Sequence, residues 1–420
     1  MDIKKIAASY NDYLIEMRRH FHAHPEISGK EYETSKTIKA ELDKYGIQWR
    51  PCGMETGVLA TIQGAKPGKT ILLRGDMDAL SVQEETGVDY ASQNPGVMHA
   101  CGHDCHTAAM LTVARLLNDH KDELCGTVKL AFQPAEEIAA GAMEMIKDGA
   151  MDGVDGCFGI HVWSDVEAGK VSVEAGPRMA AADMFTINVH GRGGHGSAPQ
   201  QCIDAVVVSS AIVQNLQTII SREVNPADAA VLTVGKLESG SRWNIIAEYG
   251  TLEGTTRYYK PELTEYFKDA ITRVATQTAA SYRAEATVDF NHLIAPTVNE
   301  PVFTEMAAKA AKKVMGEDCL IHQPAVTGGE DFAFFLEKAP GAIAFMGVRN
   351  ESCGACWAQH HGKYNVDESA LLNSVMLSPR WLRTSTPAAE FKFVTDISFK
   401  PRPTGRGLKT LTDIKLYNTV

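Results

Sequence analysis

Apolar positions along the chain fall into two rhythms. Residues 2–20 place Ile3, Ile6, Tyr10, Tyr13, Leu14 and Met17 at helical spacing and predict an amphipathic helix. A His-rich turn follows (His20, His22, His24), and its expected role is to orient neighbours. A second helix is predicted over residues 31–45, closed near Gly46. Apolar runs at 57–62 and 70–73 read as paired strands around a turn at Pro67-Gly68. Residues 128–133 and 156–160 read as further strands, and 107–111 as the start of a buried helix.

After Gly176-Pro177 the pattern changes. Residues 184–190 alternate as a strand does, and 202–221 carry a long helical pattern. Strands at 231–234 and 245–258 follow. A helix over 261–281 then begins on Pro261, and a strand spans 286–290. The order β-α-β-β-α-β is that of a split ferredoxin-like unit. It predicts an inserted α+β domain over residues 181–293 of an α/β body made of 1–180 and 294–378.

Three apolar runs deliver acids or histidine at their ends: Asp76 and Asp78, Glu136 and Glu137, and His161. In an open α/β sheet, sites form at the C-terminal strand ends. The stretch His99-Ala100-Cys101-Gly102-His103-Asp104-Cys105-His106 gathers three His, two Cys and one Asp in eight residues. Thiolate and neutral imidazole suit Zn²⁺ and its neighbours. The same stretch also reads as a helix start with Asp104 as N-cap, and the two readings are compatible. Gln359-His360-His361 adds two imidazoles late in the chain. Cys353-Gly354-Ala355-Cys356 lies close enough to predict a place on the site's rim. Gly64 to Thr70 imitates a phosphate loop, but has three residues between its glycines and precedes a strand, so it reads as a turn.

Composition narrows the class. The chain has 420 residues, 44% hydrophobic and 22% charged, enough for two domains. A net charge of −11 and a pI near 5.7 argue against a nucleic-acid partner. No apolar run approaches the roughly 20 residues of a membrane span, and no secretory leader is evident. Nine scattered cysteines predict free thiols and a cytoplasmic location.

The motifs GDMDAL (75–80), HACGHDCHTAAML (99–111), FQPAEE (132–137), GIHVW (159–163), GRGGHGSAP (191–199) and GGEDFAFF (328–335) occur in this order, after RRHFHAHPE (18–26) and before His360-His361. Over residues 10 to about 378 the chain resembles the M20 metal-dependent amidohydrolases, in the branch with hippurate hydrolases, N-acyl-amino-acid deacylases and auxin-conjugate hydrolases. The resemblance implies a zinc-peptidase-like catalytic domain with a central mixed sheet, and an insert that serves as lid and dimer interface. It implies two divalent ions, Zn²⁺ or Mn²⁺ with Ni²⁺ or Co²⁺ also admitted, on Cys101, His103, Glu137, His161 and His360. His361 stays open as the alternative to His360, although Tyr364, four residues on, selects His360. Glu136 is implied as general base. Asp78 is implied to orient a ligand histidine, with Asp76 a non-ligand. His106 and Asp104 are candidates for supporting the ligands. His195 is implied to stabilise the oxyanion in a partner subunit's site. Asn244 and Arg257 would hold a substrate carboxylate, and Glu330 would line the site.

The implied substrate is a small N-acyl-amino acid, and the implied assembly is a homodimer of this chain through the lid domain, with a homotetramer as the further option. A dipeptidase or carboxypeptidase on the same centre is the close alternative, and a non-catalytic metal-binding protein the distant one. Residues 379–420 fit none of this. Pro379-Arg380-Trp381 interrupts the last expected helix, and the basic, aperiodic remainder reads as a foreign or disordered tail.

Overall fold

The computed structural model describes the backbone of residues 3–384 and the side chains of residues 4–378. Seven strands form a central mixed sheet: β1 (Gln48–Pro51), β2 (Val58–Gln63), β3 (Lys66–Asp76), β4 (Cys125–Gln133), β5 (Gly156–Glu167), β6 (Val171–Ser172) and β15 (Gly341–Arg349). Their order is β1-β2-β4-β3-β5-β15-β6. The middle of the sheet is parallel, β4 with β3, β3 with β5 and β5 with β15. Those strands carry near-continuous apolar runs because both faces are covered.

On one face lie α1 (Ile3–Ala8), α2 (Asn11–Ala23), α3 (Tyr32–Lys44), α4 (His103–Asp119), α8 (Pro301–Met315) and α10 (Leu371–Thr384), which share one apolar core with the sheet. α5 (Gly141–Lys147) and α9 (Ala333–Leu336) pack in a second cluster with Leu72, Ala131 and Ile343. α4 is buried nearly all round, which explains its run of Ala, Met, Leu and Val.

A separate four-stranded antiparallel sheet holds β8 (Ala181–His190), β10 (Ala230–Ser239), β12 (Tyr249–Tyr258) and β13 (Glu285–Ile294), in the order β10-β12-β8-β13. With α6 (Ala205–Thr218) and α7 (Leu263–Ser281) it has its own apolar core around Phe185, Ile212, Leu252 and Phe267. That is the split β-α-β-β-α-β arrangement predicted from the pattern. Two small ribbons complete the set: β9 (Gly194–His195) with β11 (Ile245–Ile246), and β7 (Gly176–Met179) with β14 (Thr297–Asn299). The β7–β14 ribbon is where the chain leaves the first sheet and returns to it.

Four expectations are corrected. β2 and β3 are not partners: β4 lies between them, antiparallel to β2 and parallel to β3, and Pro67-Gly68 lie within β3. Apolar period reports which face is buried, not which strand pairs. The first predicted helix is two, broken at Ser9-Tyr10, and the second carries His20 and His22 in its last turn. His161 sits inside β5, not at its end, two residues past Gly159, where pairing with β3 stops. Pro379 does not end the last helix, which continues to Thr384; an internal proline removes one hydrogen bond without forcing a stop. The expectation of a foreign or disordered tail otherwise falls on residues 385–420, outside those described. No helix among the described residues is long and apolar enough to cross a membrane.

Candidate metal centre

The loop before α4 sets the centre. Gly102 caps the helix in the left-handed region (φ +95°), and a Cβ there would lie 2.4 Å from Val162 Cγ2. Gly102, and not Asp104, is therefore the N-cap. Asp104 Oδ2 accepts instead from Arg18 Nε at 3.0 Å and His22 Nδ1 at 2.7 Å.

Cys101 Sγ and His161 Nε2 are 3.5 Å apart. His103 directs Nδ1–H to the Asp78 carbonyl at 3.0 Å and to Asp78 Oδ1 at 3.2 Å, and its Nε2 makes no hydrogen bond, with Asp76 Oδ2 3.4 Å away. That Nε2 lies 3.9 Å from Glu137 Oε1 and 4.0 Å from Glu136 Oε2. Glu137 Oε1 is 3.6 Å from His360 Nε2. Asp78 Oδ2 also accepts from the Glu137 backbone N–H at 3.1 Å and from Ser28 Oγ at 2.6 Å. Asp78 thus braces the His103 imidazole and the Glu137 backbone together.

The backbone is strained where the acids and the late histidine turn in. Ala135, Ala139 and His360 all have positive φ, at 54°, 53° and 67°. Each non-glycine residue in that region costs on the order of 1–3 kcal/mol, and such strain gathers at functional sites. The His360 N–H donates to the Ala100 carbonyl at 2.7 Å and ties this loop to the Cys101 loop. His361 turns away and stacks on Trp357, with ring centroids 4.5 Å apart.

Donor atoms of Cys101, His103 and His161 lie within 4.8 Å of one another, as do those of Cys101, Glu137 and His360 and those of His103, Glu136 and Glu137. His103 Nε2 and Glu137 Oε1 are buried with no hydrogen-bond partner among the described residues. Orphaned buried acceptors are costly, and a cation between them removes that cost. The thiol, imidazole and carboxylate donors suit a divalent transition metal, so the residues fit the ion.

Burial alone would lower the His103 imidazole, but Asp76 beside it holds it well above the usual range. Burial pushes the Cys101 thiol well up, and burial with Glu330 and Asp331 nearby raises the Glu136 carboxyl. Burial holds His161 well below the usual imidazole range. A bound cation favours the deprotonated forms and expels these protons.

Three further candidates lie on the second sheet and its ribbon. His195 is exposed on β9, its Nδ1 2.8 Å from Ser197 Oγ. Asn244 adjoins it across the ribbon, where the Gly196 N–H donates to the Asn244 carbonyl at 2.9 Å. Arg257 lies on β12 and donates to the Thr256 carbonyl at 2.8 Å. Among the described residues no hydrogen bond or ion pair links these three to the cluster. Glu330 lies beside Glu136, with carboxylate oxygens of Glu136, Glu330 and Asp331 within 4.8 Å of one another. It is 1% exposed and pairs with Arg74 Nη2 at 2.8 Å and with the Phe332 N–H at 2.9 Å. A carboxylate this deep is held by the buried guanidinium. Arg74 itself went unnoticed in the sequence; its one signal was a charge closing an apolar run. Cys353 is exposed, Cys356 half-buried, and all nine thiols are free.

Residues 72–382 match the sequence model of peptidase family M20/M25/M40. The chain belongs to that family. This M20 chain is 42% identical over 361 residues to the N-acetyl-L-cysteine deacetylase of Bacillus subtilis, covering 86% of itself and 85% of that protein. It is 40% identical to thermostable carboxypeptidase 1 of Saccharolobus solfataricus, over 88% of this chain and 94% of that one. The crystal structure of the Bacillus subtilis YXEP protein, a dinuclear metal binding peptidase from the M20 family, superposes with a TM-score of 0.79 at 35% identity, over 89% of this chain and 98% of that one. The M20 chain is accordingly an enzyme acting on amide C–N bonds, a metal-dependent amidohydrolase with a divalent metal cofactor.

Proposed function

We propose that this enzyme hydrolyses the amide bond of N-acyl-amino acids, releasing a carboxylic acid and an amino acid. Two divalent ions, Zn²⁺ or Mn²⁺ with Ni²⁺ or Co²⁺ also suited, would be held by Cys101, His103, Glu137, His161 and His360. The observation that carries the reading is the pairing of those donors with a second carboxylate. Glu136 lies beside the ligand Glu137, buried, and a purely structural metal site needs no such base.

When bound, the ions supply a nucleophilic water near neutral pH and polarise the carbonyl. Glu136 takes the proton of the attacking water at its carboxylate and passes it to the departing nitrogen. Asp78 keeps the His103 imidazole in one tautomer and the Glu137 backbone in place. The sheet of residues 181–293 acts as lid and homodimer interface, with a tetramer as a further step. His195 from it stabilises the oxyanion in a partner copy, and Asn244 and Arg257 hold the substrate carboxylate. The location proposed is the cytoplasm.

Two experiments test the reading. Purified enzyme loaded with Mn²⁺ or Zn²⁺ should cleave N-acetyl- or N-benzoyl-amino acids, and EDTA should abolish the activity. Cleavage confined to dipeptides would replace this substrate class with the peptidase reading, which the carboxypeptidase relative favours. His360→Ala should lower metal content by about one ion per chain in elemental analysis, while His361→Ala keeps it. The reverse pattern would move the ligand to His361.

A further inference from the structure

Asp76 and His106 have no part in the proposed hydrolysis, yet both are buried against its ligands. Asp76 is 0% exposed and His106 5%. Asp76 Oδ1 lies 2.5 Å from His106 Nδ1, and Asp76 Oδ2 lies 2.5 Å from Arg74 Nη1. On the far side of the ring the Val162 backbone N–H points at His106 Nε2 from 2.9 Å. A backbone amide can only donate there. His106 Nε2 therefore carries a lone pair, and the proton sits on Nδ1, donated to Asp76. Both nitrogens of His106 are engaged, so it has nothing to offer a cation. Both Asp76 oxygens are likewise engaged, and Oδ2 also lies 3.4 Å from His103 Nε2.

The residue that His106 holds matters in turn, because Val162 carries both the N–H bound by His106 and, in the next peptide, the carbonyl bound by His161. The Val162 carbonyl accepts Nδ1–H of His161 at 2.6 Å, which turns His161 Nε2 toward Cys101. The His106 ring also packs on both neighbouring imidazoles. It stacks on His103 with centroids 5.5 Å apart and meets His161 edge-on at 4.8 Å. Arg74 anchors the whole arrangement. It binds Glu330 and Asp331 at 2.8 and 2.9 Å and donates through Nε to Gln133 at 2.8 Å.

We propose that Asp76, clamped by Arg74, is a positioning residue that fixes the tautomer of His106, and that His106 thereby sets the seats of His161 and His103. The inference rests on the reading of those two histidines as metal ligands.

The test uses full-length, chelator-treated protein. With ¹⁵N-labelled histidine, the His106 ring, assigned through H106Q, should show the neutral Nδ1–H tautomer before and after Zn²⁺ addition. Asp76→Asn keeps the shape, but its amide oxygen turns to Arg74 and its NH₂ faces His106 Nδ1. That forces the proton to Nε2 and breaks the bond from Val162. The variant should show the altered tautomer and bind Zn²⁺ about 10–100-fold more weakly by calorimetry, the usual scale for losing a partner behind a ligand. An Nε2–H or doubly protonated His106 in the wild type overturns the proposal, as does a His106 resonance that shifts as a ligand's does. The wild-type spectrum decides even if D76N fails to fold. Wild-type protein that binds no Zn²⁺ would remove the ligand reading and this inference together. D76N matching a tight-binding wild type in affinity would remove this inference alone.

Discussion

Glu136→Gln should cut turnover by about 10²–10⁴-fold, the range expected when a general base is lost, and leave metal content unchanged. The glutamine keeps the shape and can still hydrogen-bond the water, but it cannot accept a proton. Glu136 donates no ligand atom in the proposed scheme; Glu137 beside it does. The carboxyl at 136 is also under strain from burial and from the nearby acids Glu330 and Asp331. Replacing it with a neutral amide removes that repulsion, so the chelator-treated variant should unfold at no lower a temperature than the wild type. Steady-state kinetics, elemental analysis and calorimetry on one preparation separate the outcomes. Unchanged turnover would remove Glu136 from the mechanism, and loss of metal would make it a ligand.

The largest stability effect is expected at Asp104. Its carboxylate meets Arg18, a guanidinium 1% exposed, and His22. Removing one partner of a buried ion pair costs about 3–5 kcal/mol, because the other charge is left desolvated. Arg18 retains Glu368 at 3.1 Å, so Asp104→Asn should lose about 3 kcal/mol, the low end of that range. Burial alone would raise the Asp104 carboxyl, but Arg18 and His22 hold it well below the usual range. A depressed carboxyl stabilises the fold above its unfolded pKa, ~3.9. That contribution fades as pH falls further toward the folded value. The gap between wild type and D104N should therefore persist from pH 7 down to about 4 and close in stronger acid. Urea midpoints at pH 7, 5 and 3 check this. A gap below about 1 kcal/mol at pH 7 would mean that Glu368 alone satisfies Arg18.

What could be read from the chain was local. Helical period marked α3, α6 and α7, alternation marked β8, and the element order foretold the second sheet. The loop of Cys101 and His103, the acid pair after β4 and the histidine of β5 were legible because each motif is a few residues long. Tertiary structure decided what joins distant residues. It put β4 between β2 and β3 and carried β5 past His161. It gave His360 a left-handed backbone facing Glu137 while His361 went to Trp357. It also paired Glu330, beside Glu136, with the buried Arg74.

The physical reason is the same in each case. Periodicity records whether a side chain faces core or water, and it is settled within one element. Which charge neutralises a buried group is settled by packing between elements. Arg18 meets Asp104 across 86 positions of sequence and Glu368 across 350, and Arg74 meets Glu330 across 256. The sequence by itself determined the elements and the donor types of the site. The packed sheet decided which donors converge, and which buried charges keep them there.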